Sequence, residues 1–113
     1  MVKREIVKIK NILIELLEER GIDIEKIVIF GSYEKGEEKR DSDIDIIIVS
    51  KNFRNKDIFE KVEITRGIHR NLIEEVEKPF DIMYYSDEEW EKGHSLIINV
   101  AKKEGEVVYK MVE

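Results

Sequence analysis

The stretch from Lys26 to Val49 reads KIVIFGSYEKGEEKRDSDIDIIIV, two apolar ends joined by a polar, glycine-bearing loop. Its first part, Lys26 to Phe30, is short, apolar and rich in β-branched residues, which predicts a buried strand. Its last part, Asp43 to Val49, predicts a second strand, with Ile44, Ile46 and Ile48 on one face and Asp43, Asp45, Ile47 and Val49 on the other. Such a strand is apolar on both faces except at its start, the pattern of a sheet covered by helices whose end carries a site. Between the strands, Gly31-Ser32 puts flexible backbone close to clustered carboxylates. That combination costs stability unless a bound ligand offsets it, and a metal with phosphate suits both halves.

Working outward, Val2, Ile6, Ile9, Leu13 and Leu16 recur at spacings of three and four, predicting a first helix from Val2 to Arg20 that Gly21 ends. After a polar loop from Lys51 to Asn55, the series Ile58, Val62, Thr65, His69, Leu72 and Val76 predicts a second helix that stops before Pro79 and contains Gly67. The run PFDIMYY, Pro79 to Tyr85, predicts a third strand, apolar apart from Asp81. Ser86 followed by Glu89 has the capping-box spacing, and Trp90, His94, Ile97 and Ala101 give a third helix its stripe, closed by Gly105. EVVYKM then reads as a final short strand. The order α-β-β-α-β-α-β defines an α/β (α+β) domain, a small mixed sheet flanked by helices, over residues 1–113 as one unit.

Composition narrows the class. Hydrophobic residues at 42% exclude a disordered chain, and 41% charged residues give a strongly ionic surface. The absence of cysteine, with much Lys, Glu and Ile, matches proteins of hot environments and predicts a cytoplasmic, thermophile protein without disulfides. The residues before Gly21 are too charged for a signal peptide or a membrane span. A net charge of −6 argues against direct, sequence-blind binding of nucleic acid.

Asp43 and Asp45 lie two apart on one strand face, so both can meet a single divalent cation, and Asp81 completes the group if its strand is a neighbour. Carboxylates converging in this way repel one another unless cations sit among them, and Mg2+ prefers carboxylate, water and phosphate oxygens. Ser32 and the backbone N–H groups of the Gly31-Ser32 turn suit triphosphate oxygens. Together the halves fit phosphoryl or nucleotidyl transfer. An EF-hand reading of Asp41 to Asp45 fails, because Ile46 stands where the calcium loop needs glycine and Asn52 where it needs the bidentate glutamate. His69, His94, Trp90, Tyr84 and Tyr85 read as packing residues, and Lys35, Lys39 and Arg40 as loop cations within reach of a phosphate.

Gly31-Ser32, ten intervening residues, then Asp43-Ile44-Asp45 resembles the signature of the DNA polymerase beta nucleotidyltransferase superfamily, and the short chain is similar to its minimal nucleotidyltransferase (MNT) branch. The resemblance implies the polymerase-beta-like fold. It also implies two Mg2+ ions on Asp43, Asp45 and Asp81 as metal-binding and catalytic residues, and a nucleoside triphosphate, ATP, held by Gly31, Ser32 and Lys35. It further implies a HEPN-domain protein partner in a toxin–antitoxin pair, with this chain as the antitoxin that adds AMP to a partner hydroxyl. The residue after Gly-Ser is Tyr33, where the family often has arginine. That substitution motivates a rival expectation, a binding module that neutralises its partner by contact alone.

Overall fold

The computed structural model describes residues 3–30, 44–93 and 95–112. Gly31, Ser32, Tyr33, Lys35, Lys39, Arg40, Asp43 and His94 lie outside the described residues. In chain order the elements are α1 (Lys3–Glu19), β1 (Lys26–Phe30), β2 (Ile44–Val49), a 3-10 turn (Lys51–Phe53), α2 (Ile58–Ile64), α3 (Ile68–Val76), β3 (Phe80–Tyr85), α4 (Asp87–Lys92), α5 (Leu96–Glu104) and β4 (Glu106–Lys110). The strands form one mixed sheet in the order β3-β2-β1-β4, with β1 antiparallel to β2 and β4 and β2 parallel to β3.

Period-two alternation sorts the strand residues onto two helical layers. Ile27, Ile29, Ile44, Ile46 and Ile48 pack with Ile9, Leu13 and Leu17 of α1 and Ile68 and Leu72 of α3. On the other face Val28, Phe30, Ile47 and Val49 pack with Trp90 of α4 and with Ile98 and Ala101 of α5. A helix layer on each face explains why β2 is apolar on both sides, since an open antiparallel face would have been polar.

Helix ends follow local chemistry. α1 closes in a Schellman arrangement, with the Ile22 amide donating to the Leu17 carbonyl across Gly21, whose φ is 70°. Ser86 caps α4 with the full capping box, its side chain accepting from the Glu89 amide at 3.0 Å while Glu89 Oε1 accepts from the Ser86 amide at 3.0 Å.

The expected second helix is two helices. The chain turns at Gly67, which has φ 88°, and the turn rotates the buried stripe: Ile68 is fully buried, while His69 is exposed and Ile58 and Val62 are 71% and 56% exposed. The expected third helix divides likewise at Gly93, φ 60°, so that Ile98 is buried while Ile97 is 41% exposed. At either glycine a side chain would disfavour the left-handed backbone that glycine adopts freely; Gly93 caps the end of α4 and Gly67 stands at the start of α3. Among the described residues no helix is long and apolar enough to cross a membrane.

Candidate functional site

β2 and β3 run parallel and in register, so Asp45 stands beside Asp81. Across the other ladder Asp45 stands opposite Phe30, the last residue of β1. One row of the sheet therefore reads Phe30, Asp45, Asp81, at the edge where β1 runs into Gly31-Ser32. Alternation puts all three side chains on the face shared with Ile47 and Met83, beneath α4 and α5. Phe30 is buried, Asp45 half-buried and Asp81 exposed, so burial falls steadily toward the β3 edge.

Adjacent strands lie about 4.8 Å apart, so two carboxylates on neighbouring positions of one face repel strongly unless a cation stands between them. The donor set, hard carboxylate oxygens open to water on one side, fits Mg2+ and not a thiophilic metal. Among the described residues no three His, Cys, Asp or Glu side chains gather into a metal-binding group. The expected third member, Asp43, lies outside those residues, as do Gly31, Ser32 and Lys35. The adjacency of β2 and β3, on which the expectation for Asp81 depended, is present.

His69 does not pack into the core. Its Nε2 lies 2.6 Å from the carbonyl oxygen of Phe80, the residue preceding Asp81, and donates there. The aromatics follow their packing expectation more closely. Trp90 is buried, with the ammonium groups of Lys26 and Lys102 5.5 and 5.3 Å from its ring centroid. Tyr84 meets Phe53 at a centroid distance of 5.4 Å, and burial pushes its hydroxyl up to about 12 against a partial lowering by Thr65.

Sequence reasoning placed Ile58 and Val62 on the apolar stripe of one long helix and so missed the exposed face of α2. Its Ile58, Phe59 and Val62 are exposed, and it lies beside β3, where Lys61 Nζ donates to the Tyr84 carbonyl at 3.0 Å and to Glu89 at 2.8 Å. The signal available was Gly67: a break there takes Ile58 and Val62 off the buried stripe.

The nucleotidyltransferase domain family model matches residues 6–108, and the chain belongs to that family. Among curated proteins none matches the chain. Solved structures similar in fold include a toxin–antitoxin crystallised with AMP-PNP, at TM-score 0.64 and 21% identity over 89% of this chain and 73% of that one. A Sulfolobus solfataricus protein described as a nucleotidyltransferase matches at TM-score 0.58 and 21% identity, over 95% and 85% of the two chains. A third is a tri-AMPylated Shewanella oneidensis HEPN toxin in complex with its MNT antitoxin, at TM-score 0.58 and 18% identity over 94% and 73%.

Proposed function

We propose that this nucleotidyltransferase domain transfers AMP from ATP to a hydroxyl group of a HEPN-type protein partner, as the antitoxin of the pair. The observation that carries this is the side-by-side placement of Asp45 and Asp81 at the sheet edge where β1 leads into Gly31-Ser32. The family match supports the transfer, and the likeness in fold to an MNT antitoxin in complex with its AMPylated HEPN toxin supports the choice of partner.

In this mechanism Asp43, Asp45 and Asp81 hold two Mg2+ ions. Bound there, the ions neutralise the triphosphate and make its α phosphorus electrophilic. Gly31 and Ser32 offer N–H and hydroxyl donors to the β and γ phosphates, and Lys35 adds a positive charge to the same loop. Asp81, the most exposed of the row, faces the acceptor and takes its hydroxyl proton. The acceptor oxygen then bonds to the α phosphorus while the bridging P–O bond breaks. Pyrophosphate leaves with that electron pair, and the proton passes from Asp81 to water.

Transfer of label from α-labelled ATP, GTP, CTP and UTP, with Mg2+, to the proteins and RNA of a source-cell lysate tests this. A protein band labelled from ATP by the wild type and not by Asp43→Ala/Asp45→Ala is expected. Equal labelling by that double variant, with its circular dichroism unchanged, overturns the mechanism. Tyr33 after Gly-Ser favours a second reading, neutralisation of the partner by contact without transfer. That reading requires the double variant to keep protecting cells from the toxin.

A further inference from the structure

β3 is an edge strand, and the bonds on its inner side fix which backbone groups face outward. The amides of Ile44 and Ser50 donate to the carbonyls of Pro79 and Tyr85, each at 3.0 Å, so these odd-numbered residues of the Pro79–Tyr85 run turn toward β2. In a parallel ladder the alternate residues, Phe80, Ile82 and Tyr84, then turn their N–H and C=O groups away from the sheet. The side chains agree: His69 reaches the Phe80 carbonyl and Lys61 the Tyr84 carbonyl from outside. Such caps blunt an edge against indiscriminate pairing. Among the described residues no partner meets the outward groups of Ile82, between the two caps.

Ile82 is also where two clefts join. One, of about 350 Å³, contains Asp81 and runs past Ile82 to Val62; the other, of about 470 Å³, continues from Val62 to Ile58 and Tyr85. On α2, Ile58, Phe59 and Val62 are 71%, 80% and 56% exposed, an apolar surface unusual for so charged a chain. Three of the neighbouring cations are partnered, Lys61 with Glu89, Arg66 with Glu63 and Arg70 with Glu74, which leaves Lys56 at the Ile58 end of the larger cleft. An apolar groove with most of its flanking cations neutralised suits a peptide better than a polyanion.

We propose that the groove between α2 and the edge of β3 docks a short extended segment of the protein acceptor, pairing at Ile82 and presenting its hydroxyl residue to Asp81. The proposal rests on the transfer reading above and specifies the substrate of that site. Side chains of an added strand alternate, so a hydroxyl residue on the Asp81 face has its immediate neighbours on the face of Ile82, beside the clefts that Val62 lines. The acceptor sequence is therefore apolar-hydroxyl-apolar. The caps at Phe80 and Tyr84 confine the pairing to about three residues.

The probes are the peptides Gly-Leu-Tyr-Leu-Gly and Gly-Ser-Tyr-Ser-Gly and a short single-stranded RNA, each with α-labelled ATP and Mg2+, alongside the lysate. The leucine-flanked peptide is expected to show a KM about tenfold below the serine-flanked one, a difference of about 1.4 kcal/mol. Val62→Asp and Ile58→Asp, both at exposed positions that line the groove, should erase that difference and weaken the lysate protein band, while Leu96→Asp on α5 should leave both as in the wild type. Equal KM values, a protein band unaffected by the two α2 variants, or label passing to RNA instead of peptide overturns the docking groove. A wild type that binds no ATP and labels nothing overturns the transfer reading, and the groove with it.

Discussion

Under α1 and α3 the two central strands are closed along their length. Ile27, Ile29, Ile44, Ile46 and Ile48 are each 0% exposed, and Phe80, beside Ile44 at the end of that face, is 6% exposed. Under α4 and α5 the middle of the sheet is as dry, with Ile47 and Val49 also at 0%, but the terminal row passes from buried Phe30 through half-buried Asp45 to exposed Asp81. The strands carrying both faces are the same. Position 45 is thus a carboxylate between two core isoleucines, and the pleat alone keeps the charge out of the main core. One face supplies the cohesion that lets the other leave carboxylates at the water's edge, where repulsion between them would loosen a less firmly held strand.

The most demanding test sets adjacent residues of β2 against each other. Ile46 and Ile47 are both fully buried, and they face opposite layers. Ile46→Ala should cost about 4 kcal/mol and Ile47→Ala about 2–3 kcal/mol, because a cavity lined by long helices collapses less than one beneath the six-residue α4. Urea denaturation of the two variants reads this directly. Equal losses would mean that the two faces contribute alike and would break the comparison.

Gly105 joins the second layer to the sheet. A Cβ there would lie 2.5 Å from the Ala101 carbonyl oxygen and 2.7 Å from Val28 Cγ1, so the close approach of α5 to β1 requires glycine although its φ is −82°. Gly105→Ala should cost about 1–3 kcal/mol by overpacking, read as a lowered urea midpoint. A neutral result would show α5 free to shift and this layer more loosely held still.

Smaller effects are expected at the glycines that divide the helices. Gly67→Ala should cost about 1–2 kcal/mol for its left-handed backbone, at φ 88°. The turn it makes is also held by Arg20, which donates to the Arg66 carbonyl at 2.8 Å and to that of Leu16 at 2.8 Å. If Gly67→Ala proved stabilising, the continuous helix expected from Ile58 to Val76 would be accessible, and its melting curve would rise accordingly.

These glycines also mark where the sequence stopped being legible. β1 has the expected bounds, Lys26–Phe30, and the Ser86 capping box forms as expected, because both depend on signals within a few residues. Whether a helix continues through Gly67 depends on whether His69 or Ile68 meets α1, and helical periodicity accommodates either. The neighbouring placement of Asp45 and Asp81 has the same origin. Each aspartate was visible as a lone charge in an apolar strand, but their adjacency comes from the parallel pairing of β2 with β3, which no local pattern dictates. α2 was hidden most completely, since its apolar residues have helical spacing yet face outward.

The smallest expected effect concerns how the second layer is fastened. Arg54, following the 3-10 turn, donates Nε to Asp87 Oδ1 at 2.7 Å, and its Nη2 meets Oδ2, a bidentate pair at the first residue of α4. The hydrogen bonds from Arg54 hold the Asp87 carboxyl below its ordinary range, with partial burial opposing, and the same partner raises the guanidinium. A carboxylate whose folded pKa is lowered contributes stability that is complete above its unfolded value of 3.8 and is lost as pH falls through the lower folded value. Wild type should therefore melt slightly above Arg54→Ala at neutral pH, with the gap closing in acid and shrinking in high salt, as exposed pairs do. A gap that persisted at pH 2 would assign the contribution of Arg54 to the packing of its aliphatic stem against α4 and not to charge. The second face would then be fastened by contact, as the first is, and the contrast between them would narrow to the carboxylate row alone.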